Sequence, residues 1–460
     1  MADKKTGELM KSGVSVVGPG NKKVKLNYLI SDKGGQGDVY HVSFEGRDYA
    51  LKWYCKNPDD VIGGQQYNTI KEIYGAEKCP SEMFIWPLIL VTEANPKKGK
   101  RFGYLMDLLP EGYFEMNDFL RMDGDPSAVR FQSYHAMLTA GMNIAAAMQK
   151  LHLTGLSYKD LNPKNFMFHP KTGDVLVVDN DNVSVSGGKC TVKGMKGYMA
   201  PEIPRSRYEL SPTIETDYYS LAVILYQLFF VDHPMEGKLW ERFAICTDQV
   251  EETLYALKPV FHFDPKNESN RPTAVYAPNV TSRWFNLPVE IREPFVKAFT
   301  VGINEPGRRS PEGEWITAIS RGREKLIRMM VNGREREQFV NFDRPDSVPP
   351  RCLGIQIGGH KTALYLGKAI YRISVNGDVN KYGEIIAGIS YSKILNSLVI
   401  RNLTDEVWQG WSPQTRQLTE IPKGKEYPIS PGVNIQFQKA NPARREPRIV
   451  GEIFNARVRR

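Results

Sequence analysis

The run Tyr158-Lys159-Asp160-Leu161-Asn162-Pro163-Lys164-Asn165, followed by Val177-Val178-Asp179-Asn180-Asp181, crowds carboxylate, amide and ammonium groups into one short interval. Phosphoryl transfer needs such a set: a carboxylate to orient the attacking hydroxyl, a cation near the γ-phosphate, and oxygen ligands for magnesium. Asp160 suits the first task, Lys164 the second, and Asn165 with Asp179 the third. An Asx-rich turn between two strands is the plain alternative. Two upstream segments weigh against it. In Asp32-Lys33-Gly34-Gly35-Gln36-Gly37-Asp38-Val39 the glycines let the backbone approach phosphate oxygens and aim amide hydrogens at them. Tyr49-Ala50-Leu51-Lys52 then ends an apolar strand on a lysine placed to meet α- and β-phosphates if the glycine turn folds over them. Either segment alone is ordinary, a hairpin turn or a solvated edge lysine. Glu72, on the helical run that follows, is the expected partner of that ammonium, with Glu77 as competitor.

These groups need a frame, and the apolar pattern supplies one. Lys25 to Tyr54 alternates apolar and polar residues around the glycine cluster and predicts two or three antiparallel strands. A helix over Gln65 to Tyr74 and strands around Phe84 to Val91 and Gly103 to Met106 complete a small β-rich unit. Met137, Leu138, Met142, Ile144, Met148 and Leu151 recur at helical spacing, predicting a helix from Tyr134 to Leu153. Short strands at Phe166 to His169 and Val175 to Val178 flank the Asx-rich loops, with helices later at Thr216 to Phe230 and near Arg292 to Val301. Mostly β and then mostly α suits an α+β, two-lobed enzyme with its cleft between the lobes. Arg323 to Phe342 reads as a charged helix entering a linker, and Arg344 to Pro350 has the proline content of a boundary. Beyond it, Gly354 to Ile357, Thr362 to Leu366, Ala369 to Val375, Ser397 to Leu403 and Val433 to Phe437 are β-like runs between turn residues, predicting a small all-β sandwich or barrel.

Bulk properties narrow the partners. The longest strongly apolar run, Leu221 to Val231, is too short to span a bilayer and reads as a buried helix. Met1 to Val14 is polar and lysine-rich, unlike a secretion signal, so a cytoplasmic protein without a membrane partner is expected. Cys55, Cys79, Cys190, Cys246 and Cys352 stand singly, which predicts reduced thiols and no structural metal. Of the net charge of +9, Lys439 to Arg460 contributes +5 through seven basic and two acidic residues. The remainder is nearly balanced, so a nucleic-acid partner is not expected. Within that tail Ile449, Val450, Ile453, Phe454 and Val458 interleave with arginines and predict a final strand.

Gly197-Tyr198-Met199-Ala200-Pro201-Glu202, Asp217-Tyr218-Tyr219-Ser220-Leu221 and Pro306-Gly307-Arg308-Arg309 complete a series. Glycine loop, strand lysine, catalytic loop, metal aspartate, Ala-Pro-Glu and helix aspartate in this order resemble the eukaryotic-like protein kinase superfamily over about Lys25 to Met330. The resemblance implies the two-lobed kinase fold, ATP and Mg2+ as cofactors, and a protein serine or threonine as substrate. It divides the chain into an extension (1–24), an amino-terminal lobe (25–107), a carboxy-terminal lobe (108–332), a linker (333–350) and a β-rich domain with a basic tail (351–460). It also implies that Gly34, Gly35 and Gly37 cover the phosphates, that Met106 is the gatekeeper, and that Asp107 to Leu109 form the hinge holding adenine between Val39, Ala50 and Met167. Glu202 would pair with Arg309, Asp217 would brace the catalytic loop, and Thr191 would be a phosphorylation site.

Departures from the family pattern are as informative. Tyr158 replaces the usual histidine, Lys159 the usual arginine, Asn180-Asp181 the usual Phe-Gly, and Asp32 the first glycine of the loop. Asn162 stands where serine/threonine kinases place a lysine, while Lys164 lies where tyrosine kinases use an arginine for the same task. Phe84-Ile85-Trp86-Pro87, Asp179-Asn180-Asp181, Phe263-Asp264-Pro265 and Asn270-Arg271-Pro272 resemble bacterial kinases encoded with tellurite-resistance-type stress or phage-defence systems. That likeness implies, by analogy, a metal-dependent phosphatase and a von Willebrand A-type protein as partners. Ser397 to Leu403 and Ile429 to Phe437 resemble the last strands of a forkhead-associated sandwich, a phosphothreonine-binding fold. No Gly-Arg loop precedes them, and Ser390 and Lys393 are the remaining candidates, so a docking sandwich without phosphate recognition is preferred. A pseudokinase scaffold is the main alternative, motivated by Tyr158 and Asn180-Asp181; a small-molecule kinase is disfavoured by the Ala-Pro-Glu segment.

Overall fold

The computed structural model describes residues 6–32, 35–54, 56–57, 59–97, 99–122, 124–188, 194–344, 347–350, 352–439 and 447–457. Its first unit is a six-stranded antiparallel sheet in the order Val16–Val17, Ile89–Glu93, Phe102–Met106, Arg47–Tyr54, Gly37–Phe44, Lys25–Ser31. Side chains alternate across a strand. Leu51 and Trp53 therefore enter an apolar cluster with Val42, Phe44, Val91 and Leu105, while Ala50, Lys52 and Tyr54 are left to the other face. The helix Gln65–Ile73 buries Ile70 and Ile73. The expected strand from Phe84 begins only at Ile89, because Pro87 has no N–H to offer a ladder; Phe84 makes a single bridge to Val177.

The second unit is helical. Ile214–Phe230 starts at a reciprocal Thr213–Thr216 cap and is buried on nearly all sides, as its unbroken apolar run dictates. Tyr134–His152 and Glu312–Lys325 pack beside it, and Trp284, Phe295 and Phe299 close the core around Tyr226. Both Asx-rich loops emerge where this core meets the sheet. The strands Phe166–Phe168 and Val175–Val177 pair with each other, and Phe114–Glu115 pairs with the first of them.

Where a charged helix was expected across Arg323 to Phe342, the helix ends at Lys325 and Leu326–Val331 pairs with Arg334–Phe339 as a hairpin. Asn332 (φ 52°) and Gly333 (φ 73°) are both left-handed, the two-residue turn that Asn-Gly favours. This hairpin takes in the start of the stretch read as linker, residues 333–339. The remainder is strand-rich. One sheet runs His360–Leu364, Leu353–Ile357, Ile449–Asn455, Asn434–Gln438, Trp408–Trp411, Leu418–Ile421; the other runs Ala369–Tyr371, Ile385–Ser392, Ser397–Asn402, Glu426–Pro428. Ile355, Ile389, Ile400, Trp408, Ile435 and Ile453 from both sheets share one cluster. The tail strand Ile449–Asn455 thus lies inside a sheet. The run expected as strand from Ala369 to Val375 turns helical at Arg372 and stops at Gly377 (φ 75°), a left-handed position that ends helices.

This strand-rich part is fastened to the helical unit by buried polar contacts. The Arg323 guanidinium lies 3.4 Å from the Tyr371 ring centroid and donates to the Tyr382 carbonyl at 2.7 Å. Lys368 donates to the carbonyls of Arg323 and Leu326 (2.8 and 3.1 Å), and the Tyr382 hydroxyl donates to Asn143 (2.6 Å). Burial, then the Arg323 charge, brings Lys368 down to about 7.

Candidate active site

Sheet register brings the first group of predicted residues together. Lys52 lies opposite both Val39 and Tyr104, and Ala50 opposite Met106. Directly paired and alternate residues share a face, so Val39, Ala50, Lys52, Tyr54, Tyr104 and Met106 line one side of the sheet. Gly37 opens the strand below them, and a Cβ there would meet the Trp53 carbonyl oxygen at 2.3 Å, so only glycine fits. Gly35 is exposed in the preceding turn, and Gly34 lies outside the described residues. Asp107 and Leu109 follow the strand at the surface, where Asp107 pairs with Arg47 at 2.6 Å. Met167 is half-buried on Phe166–Phe168, opposite Leu176 and Glu115.

The loop from Tyr158 to Asn165 is held by hydrogen bonds rather than apolar packing alone. Asp217 accepts the N–H groups of Tyr158 (2.5 Å) and Lys159 (3.3 Å), and its carboxylate also meets His152 Nε2 at 3.1 Å. The Tyr158 hydroxyl is shared between the carbonyls of Val178 (2.5 Å) and Asp179 (2.8 Å), tying this loop to the next. Val178 N–H donates to the Asn165 carbonyl at 2.8 Å. Asn162 and Asn165 close a reciprocal cap in which the Asn165 side-chain oxygen accepts the Asn162 N–H at 2.8 Å. Asp160 accepts the Met195 N–H at 2.9 Å, and Lys164 is exposed beside it. Lys159 donates to the Gly188 carbonyl at 3.1 Å; Thr191 lies outside the described residues.

His152 links this brace to the helix Glu312–Lys325 through a hydrogen bond to Glu312. Burial alone would lower its pKa, but the two carboxylates override that and push it up to about 9. A folded pKa above the unfolded value gives stability that is complete below about pH 6.5 and lost as pH rises through about 9, worth about 3 kcal/mol. Urea unfolding midpoints of the wild type should therefore fall between pH 6.5 and 9. His152→Gln should flatten that slope.

Lys52 is the junction of the site. Its ammonium is ion-paired with Asp179 and with Asp181, the latter at 2.6 Å. Burial opposes its charge, yet Asp181 and Asp179 hold its pKa well above the usual lysine range. Asp181 is pushed up by burial and by Asp179; Asp179 is pulled down by Lys52 against its own burial. The expected partner Glu72 requires correction. It is exposed, its carbonyl accepts the Lys78 ammonium at 2.8 Å, and it makes no ion pair with Lys52 among the described residues. Helical spacing places Ile70 and Ile73 inward, and Glu72 between them points outward. Glu77 is also exposed.

Three contributors escaped the sequence reading. Tyr54 donates to Asp181, Gln66 donates to the Asp181 carbonyl at 3.0 Å, and Asn180 donates to the carbonyls of Ile85 (2.8 Å) and Val177 (3.3 Å). The period-two spacing of Lys52 and Tyr54 was a usable signal for the first. Asn180 is fully buried where an apolar side chain was the norm, and its amide pins the Asp179 segment to the backbone beside Trp86. Asp179 adopts the left-handed region (φ 63°, ψ 46°), which Asp tolerates better than most residues. The arrangement offers a partly buried carboxylate at Asp160, raised by burial and the Asp179 charge against the Met195 N–H; hard oxygen donors at Asn165 and Asp179; and a cation at Lys52. Half of the Asp179 side chain is exposed, and so few protein oxygens suit magnesium, which keeps positions for phosphate oxygens.

The chain is similar to known proteins. Protein kinase 2 of Dictyostelium discoideum is 25% identical over 202 residues, 43% of this chain and 39% of that protein. A probable serine/threonine-protein kinase of Corynebacterium efficiens is 27% identical over 246 residues, 49% of this chain and 35% of that protein. The chain thus spans well under half the length of either relative. Among solved structures, the ROP18 kinase domain in complex with AMP-PNP and sucrose aligns over 66% of this chain and 80% of its own, at 16% identity and a TM-score of 0.44. The protein kinase domain model matches residues 32–322, more than half of the sequence, and this chain belongs to the protein kinase family.

Proposed function

We propose that the chain is an ATP-dependent protein kinase transferring the γ-phosphoryl group to serine or threonine hydroxyls of a protein, its own activation segment included. The observation that carries this reading is the ion pair of Lys52 with Asp179, 127 residues apart in sequence, beside a loop that presents Asp160 and Asn165. Asp160 orients the substrate hydroxyl and takes its proton, Lys52 holds the α- and β-phosphates, and Lys164 faces the γ-phosphate. Asn165 and Asp179 would hold magnesium, which when bound neutralises charge on the phosphates. Val39, Ala50, Met106 and Met167 enclose adenine, with Asp107 and Leu109 at the hinge, and the glycine turn covers the phosphates. The serine/threonine assignment follows the relatives of that class.

The division into lobes at 25–107 and 108–332 belongs to this proposal, as does a forkhead-associated-like sandwich at 351–460 that docks proteins without phosphate recognition. Ser390 donates to the Glu426 carboxylate at 3.4 Å, and that carboxylate is paired with Arg401, so the hydroxyl is already engaged. No helix among the described residues is long and apolar enough to cross a membrane. A cytoplasmic bacterial stress or defence setting, with a metal-dependent phosphatase and a von Willebrand A-type protein as partners, rests on the sequence likeness. Calorimetry of ATP binding tests the site. Magnesium should tighten binding in the wild type; Asp179→Ala should lose that tightening and more than about 100-fold of transfer activity. Equal magnesium dependence in both proteins would refute the metal assignment.

A further inference from the structure

We propose that Asp181, rather than a glutamate of the neighbouring helix, is the residue that positions Lys52 for the phosphates of ATP; this rests on the kinase reading above. Two carboxylates meet the Lys52 ammonium, and their surroundings differ. The Asp179 side chain is 50% exposed and free to turn to another partner; the Asp181 side chain is 0% exposed. One Asp181 oxygen accepts both Lys52, at 2.6 Å, and the Tyr54 hydroxyl. Tyr54 lies two residues beyond Lys52 on the same sheet face, so the strand itself presents both donors to one acceptor.

The backbone under Asp181 is fixed as well. Gln66 of the helix donates to its carbonyl at 3.0 Å, and Asn180 is tied to Ile85 at 2.8 Å. The helix therefore contributes a neutral amide to this spot, while Glu72 faces outward. An enclosed carboxylate cannot swing away when nucleotide arrives, whereas the exposed Asp179 can exchange Lys52 for another cation. Asp181 then keeps the ammonium aimed into the cleft.

The test uses the full chain as wild type, Asp181→Asn, Tyr54→Phe and Glu72→Gln, with dissociation constants for ATP, ADP and adenosine and a KM-against-kcat comparison where transfer is measurable. Lys52 addresses phosphates and not the base, so Asp181→Asn should weaken ATP and ADP by about 10- to 100-fold and adenosine by less than about 2-fold. Tyr54→Phe keeps the ring and removes one donor, and should show the same selectivity at about 3- to 10-fold. The KM for ATP should rise in step. Unchanged ATP affinity in Asp181→Asn, an equal loss for adenosine, or the phosphate-selective loss appearing in Glu72→Gln would each overturn the assignment. A wild type that shows this binding pattern without transferring phosphate would refute the kinase activity and leave Asp181 in its role. A wild type that binds ATP no better than adenosine would overturn both.

Discussion

Asp160→Asn should leave nucleotide binding within about 2-fold of wild type and lower phosphoryl transfer by about 10²- to 10⁴-fold. The isosteric amide oxygen can still accept the Met195 N–H, and Asn162 donates to the Asp160 backbone carbonyl, which the substitution leaves in place, so the loop should stay folded. What it loses is the capacity to accept a proton from the attacking hydroxyl. A pH profile adds a signature. Burial, reinforced by the Asp179 charge and opposed by the Met195 N–H, raises the Asp160 pKa from an aspartate's ordinary value. A base must be ionised, so activity should fall as pH drops through that raised value, at higher pH than an exposed aspartate would give. Initial rates at saturating ATP check both statements. Undiminished transfer in Asp160→Asn would remove it from the role of base.

Arg309→Met should cost about 3–5 kcal/mol of stability, the largest single effect expected outside the catalytic loop. The Arg309 side chain is 0% exposed and makes a bidentate pair with Glu202 at 2.7 Å for each bond. It also donates to the carbonyls of Gly302 (2.8 Å) and Glu215 (2.7 Å) and lies 5.3 Å from the Tyr219 ring centroid. Methionine fills the space but leaves the Glu202 carboxylate without its bidentate donor and removes the bonds Arg309 gives to the Gly302 and Glu215 carbonyls. Because the same side chain joins the Ala-Pro-Glu segment to the helix Ile214–Phe230, substrate turnover should fall with stability. Chemical unfolding midpoints measure the first effect. Arg309→Lys should recover little, since an ammonium cannot reproduce the fork.

The candidate site residues were legible because their spacing is short and their types are restricted. Asp160, Asn165 and Asp179 fall within one interval of loop and strand, and Lys52 ends a recognisable strand. The partner of Lys52 was not legible, since an ion pair spanning 129 residues has no local pattern. Helical periodicity marked Glu72 as lying on a helix but said nothing of what that face would meet; the buried Ile70 and Ile73 settle it. The hairpin at Leu326–Phe339 was hidden by its charges, although Asn332-Gly333 carried the turn signal. In the carboxy-terminal part, strand runs were visible one by one. Their order in the two sheets, and the burial of Lys368 and Arg323 against Tyr371, follow from tertiary packing that no single run encodes.

The most direct test is incubation of the purified chain with γ-labelled ATP, with magnesium or with chelator, followed by mass spectrometry of any labelled site. Magnesium-dependent label on serine or threonine of the chain or of an added protein is the predicted result. Nucleotide binding that ignores magnesium, with no label on any protein, would contradict the account and make the chain a nucleotide-binding scaffold.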